Sequence, residues 1–527
     1  MIDRHLPAGW ITASIEEALI SIRGISFPKE AKRASAANGL IACLRTANIQ
    51  QNIEWEDLWF VDNKYLKREE QVVQQGDILI SISNSLDLLG KVAQVINIPH
   101  RSTLGTFIAN LRVPDPLNCR FIYYYLSSFG FKEKVREKAS TTTNISNISV
   151  GKLEKINIKI PPLAEQHRIV DKIEELFSDL DDGIASLKKA QQQLKVYRQA
   201  VLKWAFEGKL TAQWREEQKR QGKLESAETL LEQIKAEREQ RYQEKLAQWQ
   251  ADVKAWEANG KVGKKPGKPS KPIKNVLTKD DIEELPELPQ GWQWVFPEDI
   301  CAPENYSLAI GPFGSNLKVS DYTNSGIPLV FVRHITGRNF DLNPKYISQE
   351  KFIELLPHAV KSLDLLITKM GDPPGDCEIY PEGRSEAVIT ADCLKFSVWT
   401  DYANLKFYKY CINSTLIKKQ LGLITQGVAQ KKISLERFKR IKFPFPNFAE
   451  QNKIVEEIES RLSICDSLET TITENLQRAE ALRQSILKQA FEGKLVPQDP
   501  NDEPASVLLE RIRQTRNQHK QLNLNNL

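Results

Sequence analysis

Residues that could support catalysis are scattered along the chain. Glu207-Gly208-Lys209 and Glu492-Gly493-Lys494 match the carboxylate-x-lysine half of a metal-dependent nuclease site, but neither copy has an acidic partner nearby. Asp372-Pro373-Pro374-Gly375 has the Asp-Pro-Pro of a loop that presents a flipped base for amino-methylation. It lacks the aromatic that would stack the base, and no glycine-rich cofactor loop accompanies it, so it reads as a turn. No Gly-x-x-x-x-Gly-Lys-Ser/Thr run cradles a nucleotide, so ATP-driven work would have to come from a partner. The histidines (His5, His100, His167, His334, His358, His519) form no pairs at ligand spacing. The seven cysteines include no Cys-x-x-Cys and are odd in number, which points to reduced thiols rather than disulfides or zinc.

The polar residues that do recur suit a different chemistry, holding phosphates and reading base edges. The first half of the chain has Arg23-Gly24-Ile25-Ser26-Phe27-Pro28-Lys29, then Arg45, Asn48 and Gln50 after an apolar run. The second half has Gly311-Pro312-Phe313-Gly314-Ser315-Asn316-Leu317-Lys318, then Arg333 and His334 after an apolar run. A further polar cluster follows in each, with Asn144 and Asn147 in one and Gln430, Lys431 and Lys432 in the other. Glycine with lysine, serine and asparagine lets donors approach phosphates closely, and Arg, Asn and Gln are the side chains that read the major groove. Any one such loop is more often structural. Matched loops at matched places favour a binding face, with Lys29, Lys318, Lys431 and Lys432 placed to hold phosphates, Arg45, Asn48, Gln50, Asn144, Asn316, Arg333 and Gln430 to read bases, and Asn147, Ser315 and His334 beside them.

A long helix must position these loops, and it occurs twice. The stretch from Ala164-Glu165-Gln166 to Ala205-Phe206-Glu207-Gly208-Lys209-Leu210 recurs 285 residues on, from Ala449-Glu450-Gln451 to Ala490-Phe491-Glu492-Gly493-Lys494-Leu495, with 20 of 47 positions identical. Apolar residues fall at Ile169, Ile173, Leu176, Leu180, Ile184, Leu187, Ala190, Leu194, Tyr197 and Val201 in the first copy and at Ile454, Ile458, Leu462, Cys465, Leu468, Ile472, Leu476, Ala479, Leu482 and Ile486 in the second. Their spacing lies between that of a coiled coil and a straight helix, so each helix carries one apolar stripe, and the obvious partner is the other copy. Gly208 and Gly493 stand where glycine stops a helix.

The repeat extends beyond the helices. Leu6-Pro7-Ala8-Gly9-Trp10 is matched by Leu288-Pro289-Gln290-Gly291-Trp292, and the short apolar runs Ile78 to Ile82 and Leu365 to Thr368 read as buried strands. The expected fold is α+β: two globular domains, residues 1–162 and 288–446, joined by two long helices forming an antiparallel coiled coil with pseudo-twofold symmetry. The helical regions span 163–235 and 447–527, with a charged helix and a Lys/Pro/Gly linker over 236–287.

Of the 527 residues, 41% are apolar and 27% charged, enough for real cores, and the net charge of +5 leaves the question of nucleic acid to the distribution of Lys and Arg. No basic leader and no stretch of 18 apolar residues occurs, so a soluble cytoplasmic protein is expected. Two related but different domains on a helical spacer suit a linear target with two half-sites at a set separation. A coiled-coil scaffold joining two non-DNA-binding domains is equally compatible with that geometry, and a self-contained methyltransferase or nuclease is the rival enzymatic reading.

The order of motifs is specific. Leu-Pro-x-Gly-Trp, Gly-Pro-Phe-Gly-Ser-Asn-Leu-Lys, Tyr123-Tyr124-Tyr125-Leu126-Ser127-Ser128, Pro161-Pro162-Leu163-Ala164-Glu165-Gln166 and Ala-Phe-Glu-Gly-Lys-Leu together resemble the specificity subunit of type I restriction-modification systems. The resemblance implies two target-recognition domains, each reading one half of a bipartite site in double-stranded DNA. It also implies that the helices dock two methyltransferase subunits, and that restriction and translocation subunits can join. The chain itself would catalyse nothing and hold no cofactor or metal. S-adenosylmethionine, ATP and Mg would belong to its partners. The first domain departs from the glycine motif at Arg23 to Lys29, and Asn447-Phe448 replaces Pro-Leu before the second Ala-Glu-Gln.

Overall fold

The computed structural model describes residues 6–142, 145–272, 275–371, 374–424 and 432–525, with the backbone alone over 519–525. It divides into two compact units, Met1–Lys189 with Ile472–Leu527, and Ala190–Thr471. Each long helix (Leu163–Phe206 and Phe448–Phe491) begins in one unit and ends in the other.

In the first unit, strand Ile11–Ser14 pairs antiparallel with Asn157–Ile160, Ile11 opposite Ile160, which ties the two ends of the first globular domain, or head, together at its base. Above them lies an antiparallel sheet in the order Ile20–Arg23, Ile108–Arg112, Ile78–Ser81, Val92–Gln94. A second sheet runs Trp59–Asp62, Leu40–Leu44, Ser102–Leu104, its last pair parallel. The run Ile78-Leu79-Ile80 shows no polar alternation because both of its faces are covered. Ile78 and Ile80 enter a core with Trp10 and Phe121, while Leu79 enters another with Ala42 and Ala93.

The second unit repeats this plan. Gln293–Val295 pairs with Phe443–Phe445, and one sheet is ordered Leu308–Ile310, Cys393–Phe396, Leu365–Thr368, Cys377–Ile379. The other places Ile327–Val330 parallel to Ala387–Ile389. Leu365 and Ile367 face one core and Leu366 another, as in the first head.

Within each unit the two helix segments run antiparallel. In the first, Asp181 pairs with Arg483 and Arg168 with Asp502. In the second, Arg198 meets Asp466 at 2.6 Å and Glu469 at 3.0 Å, and Thr211 meets Glu450 at 2.8 Å. Arg483 and Asp466 lie 285 residues beyond Arg198 and Asp181, so each unit makes the same contact with the roles of the two helices exchanged. The apolar stripe differs from expectation. Ile169, Ile173, Ile454, Ile458 and Ile486 are buried and Leu180, Leu187 and Leu194 half-buried, but Leu468 and Leu482 are 47% and 50% exposed. On the second helix the seam keeps Cys465, Ile472, Ala479 and Ile486 of the expected stripe, at seven-residue steps. Glu469 and Arg483 occupy intervening seam positions, where their ion pairs satisfy them.

Candidate nucleic-acid interface

The repeated motifs build the joint that fixes each head to its helix. Trp10 donates its indole N–H to buried Glu165 at 2.9 Å, and Trp292 does the same to Glu450 at 2.9 Å. Gln166 donates to the Pro161 carbonyl at 2.9 Å while its own carbonyl accepts from Asn118 N–H at 3.0 Å. Gln451 repeats this with Pro446 and Asn404 at 3.0 and 2.8 Å. Asn118 and Asn404 in turn cap head helices Cys119–Ser127 and Leu405–Ile412, so Ala-Glu-Gln locks the rod, the head's base and its helix into one body. The Ala-Phe-Glu-Gly-Lys motif belongs to the same joint, from the other repeat. Phe491 packs on Phe121 and Tyr125, and Phe206 on Phe407. Gly493 (φ +70°) lies so close to Pro7 that a Cβ would come within 2.4 Å of the ring, and a Cβ on Gly208 (φ +69°) would come within 2.3 Å of the Pro289 ring. Glycine there stops the helix and admits the neighbouring Leu-Pro turn, rather than serving a nuclease.

Such joints aim one face of each head, and that face is built alike in both. Ile82 N–H donates to the Phe107 carbonyl at 3.0 Å, and its carbonyl accepts from Ile148 at 2.9 Å. At the equivalent place Lys369 donates to the Asp392 carbonyl at 2.7 Å and accepts from Ile433 at 3.0 Å. The glycine loops lie against the same turns: a Cβ on Gly24 would come within 2.1 Å of the Gly105 carbonyl oxygen, and one on Gly311 within 1.9 Å of the Thr390 oxygen. This close approach explains why both loops need glycine despite their different sequences. Strand Ser146–Asn147, paired with Ser83–Asn84 on one side and Ser140–Thr141 on the other, completes the face in the first head, and a bridge between Met370 and Lys432 does so in the second.

The side chains on this shared frame differ. In the first head it presents Phe107, 60% exposed, beside Ile82 and Asn147. In the second it presents Phe313, 68% exposed, with half-buried Lys369, whose Nζ lies 6.0 Å from that ring and donates one bond to the Ala391 carbonyl at 3.3 Å, and exposed Asp392 and Lys432. Ser315 and Asn316 are exposed on the Phe313 loop. Phe107, Lys369 and Asp392 escaped sequence reasoning. The available signal was the alignment of Asp77 to Ile82 with Asp364 to Lys369, whose strands match until the last residue.

Several sequence candidates are instead occupied within the fold. Asn48 is buried, donating to the carbonyls of Glu54 and Glu56 at 3.0 Å each and accepting from Arg45 N–H at 2.9 Å. Arg45 pairs with Asp57 over the Trp59 ring. Gln50 donates to the Ala47 carbonyl and accepts from Lys91. Arg333 grips the Leu342 and Asn343 carbonyls at 3.3 and 2.7 Å. His334 is buried, its Nδ1 accepting from Phe331 N–H at 3.2 Å and its Nε2 facing the Leu342 carbonyl at 2.8 Å, which requires the proton on Nε2. Burial holds its imidazole below the ordinary range, consistent with that neutral tautomer. Asn48 and His334 are thus engaged as supports of their loops, while Arg45, Gln50 and Arg333 brace their loops and keep N–H donors beyond those bonds. Lys29 and Lys318 are exposed, and Asn144, Gln430 and Lys431 lie outside the described residues, as does Asp372-Pro373. Among the described residues no group of His, Cys, Asp and Glu is placed to hold a metal, and no helix is long and apolar enough to cross a membrane.

Two equivalent α+β heads carrying variable faces on a common frame, each locked to an antiparallel helix pair, define a two-headed recognition protein rather than a single-site enzyme. The family model described as the type I restriction modification DNA specificity domain matches residues 8–195 and 377–478, more than half of the chain, and the chain belongs to that family. It is 26% identical to the type I restriction enzyme EcoKI specificity subunit of Escherichia coli K12, over 97% of this chain and 96% of that one. It is also 26% identical to the StySPI specificity subunit of Salmonella potsdam, with the same coverages. The HsdS subunit from Thermoanaerobacter tengcongensis has a similar fold, at a TM-score of 0.50 and 16% identity over 94% of this chain and 99% of that one. A chain from a structural study of complex assembly and conformational transition in a type I restriction-modification system matches at a TM-score of 0.58 and 16% identity, over 93% and 100% of the two chains. In such systems the specificity subunit is the non-catalytic, DNA-recognising component and works with DNA and the other subunits.

Proposed function

We propose that this chain recognises a split, asymmetric sequence in double-stranded DNA, one half-site read by each head, for a type I restriction-modification complex. The observation that carries this is the pair of equivalent faces with unlike side chains. The same backbone frame places Ile82 and Phe107 in one head and Lys369 and Asp392 in the other. An exposed phenylalanine suits a thymine methyl or a wedge between base steps, whereas lysine recognises guanine O6/N7 and a carboxylate accepts from cytosine N4. Lys29, Lys318 and Lys432 suit phosphates, with Ser315, Asn316 and Asn147 beside the readers. The two 44-residue helices set the gap between half-sites and dock two methyltransferase subunits, which would supply S-adenosylmethionine chemistry. Restriction subunits using ATP and Mg can be added to that assembly, which acts in the cytoplasm.

Mapping methylated adenines in cells that carry this chain with its methyltransferase tests the reading. One split motif is expected, and its gap should change when one heptad is removed from both long helices while the half-sites stay the same. Absence of any motif favours the scaffold reading, and an unaltered gap removes the spacer role.

A further inference from the structure

Behind each long helix a further helix begins alike, with Ala227 donating to the Gly291 carbonyl and Ala505 to the Gly9 carbonyl, each at 2.9 Å. Only the first copy continues into a 32-residue helix, Ala227–Ala258, and a lysine- and proline-rich return. The first half of that helix is fastened to the second head. Glu237 accepts from Tyr402 Oη, Arg238 donates to the Cys301 carbonyl at 2.6 Å, Arg241 lies 5.3 Å over Trp399, and Tyr242 is buried. Beyond Tyr242 the helix runs on for about 24 Å, and its side-chain hydrogen bonds to other segments go to the return. Trp249 Nε1 donates to the Pro266 carbonyl at 3.0 Å and Trp256 Nε1 to the Gly263 carbonyl at 3.1 Å.

The return is ordered by its sequence. In Lys265-Pro266-Gly267-Lys268-Pro269-Ser270-Lys271-Pro272 every third residue is proline, and Pro266, Pro269 and Pro272 are half-buried while the residues between them are exposed. A burial period of three is that of a polyproline II strand, which turns once in three residues and rises about 3.1 Å per residue. Lys265, Lys268 and Lys271 therefore form a row about 9 Å apart along an exposed edge. Among the described residues no carboxylate forms an ion pair with Lys261, Lys264, Lys265, Lys268 or Lys271. Residues 243–272 carry seven lysines against three carboxylates, a net of +4 in a chain whose total is +5. Lys268 lies 5.6 Å from the Trp249 ring, and cations held this densely, with no carboxylate paired to them, on a strand stiffened by proline and pinned by two indoles repel one another, which favours a polyanion as their partner.

We propose that the Gln243–Pro272 hairpin is a sequence-independent contact to the phosphate backbone of double-stranded DNA, beside the half-site that the second head reads. This rests on the DNA-reading function above. Because the hairpin is fastened to that head, its contacts extend one side of the footprint and leave base choice to the reading face. The test uses the full chain assembled with its methyltransferase subunits. Affinity is measured across a salt series for a duplex with the methylated motif and for an unrelated duplex, in wild type and in a variant with Lys264, Lys265, Lys268 and Lys271→Gln. The slope of log affinity against log salt should fall by about two to four for both duplexes, since each phosphate contact contributes about 0.9. Affinity at 0.1 M salt should fall at least about tenfold, with the ratio between the duplexes unchanged and backbone protection lost on one side of the second half-site. An unchanged slope in a variant that still discriminates overturns the proposal. So does lost subunit assembly with an unchanged slope, which would assign the row to a protein partner. A wild-type complex that discriminates no duplex fails differently, because it overturns the reading function on which the hairpin depends.

Discussion

The two heads share a frame and differ at its surface. Both hang the candidate face from one central residue whose N–H and carbonyl join two neighbouring segments, Ile82 in the first head and Lys369 in the second. Both press a glycine loop against a turn too close for any side chain, at Gly24 and Gly311. Backbone geometry is thus duplicated while the exposed chemistry is free to change: apolar around Phe107, charged around Lys369 and Asp392. The comparison teaches that positioning and reading are carried by separate residues, so each can be broken without the other.

The largest expected effect attacks positioning. Gly493→Ala should cost about 2 to 4 kcal/mol, combining a left-handed backbone with a clash against the Pro7 ring. Gly208→Ala should match it through Pro289. Hydrogen exchange should quicken in the first head for Gly493→Ala and in the second for Gly208→Ala, although each glycine follows the helix of the other repeat. The reverse pattern would refute the exchanged joints.

Next come the reading faces. Lys369→Ala should relax the half-site of the second head alone, and Phe107→Ala that of the first, each at about 1 to 3 kcal/mol of discrimination by methylation mapping and duplex binding. Arg333→Ala should lower stability through its loop carbonyls, and a specific change of motif would show that Arg333 reads a base as well.

The tryptophans sharpen the comparison because their carboxylates are held differently. Trp292→Phe leaves Glu450 its bonds to Thr211 and Arg215 at 2.8 and 3.0 Å, and should cost about 1 kcal/mol. Trp10→Phe leaves Glu165 with weaker support and should cost about 2 kcal/mol. Burial already raises the Glu165 carboxyl above its ordinary range, and losing the indole raises it further. A raised folded-state pKa means that the ionised group costs stability above that pKa and not below it. The Trp10→Phe deficit should therefore shrink as pH falls from 7 towards 5 in denaturant titrations.

The smallest effect concerns the helix pair. Arg198→Ala and Arg483→Ala should each cost about 0.5 to 1 kcal/mol, with nearly equal coupling to Asp466 and Asp181 because that contact is made twice. Double-mutant cycles with Asp466 and Asp181 check it, and a marked inequality would argue against twofold equivalence.

Much of the architecture was legible in the chain. The repeat, the buried strands and the helix limits follow from local rules: Gly208 and Gly493 stop their helices, and prolines precede Leu163 and Phe448. The helix seam was read less well. Leu468 and Leu482 fit the apolar period but lie outside it, since Glu469 and Arg483 find partners on a strand of helix remote in sequence. The candidate face was least legible. Asn48 and His334 have the composition of readers, and only tertiary hydrogen bonds to Glu54, Glu56, Phe331 and Leu342 show that they are consumed.

The sequence by itself determined that there are two heads, two long helices and a family, because repetition and periodicity are properties of neighbours along the chain. Only the tertiary structure decided that each head is closed by the end of the other repeat's helix, and that Ile82 and Lys369 stand at equivalent places on a surface. Those facts depend on which distant segments share a core and which donors remain unpaired once it has formed, and neither is encoded in local spacing.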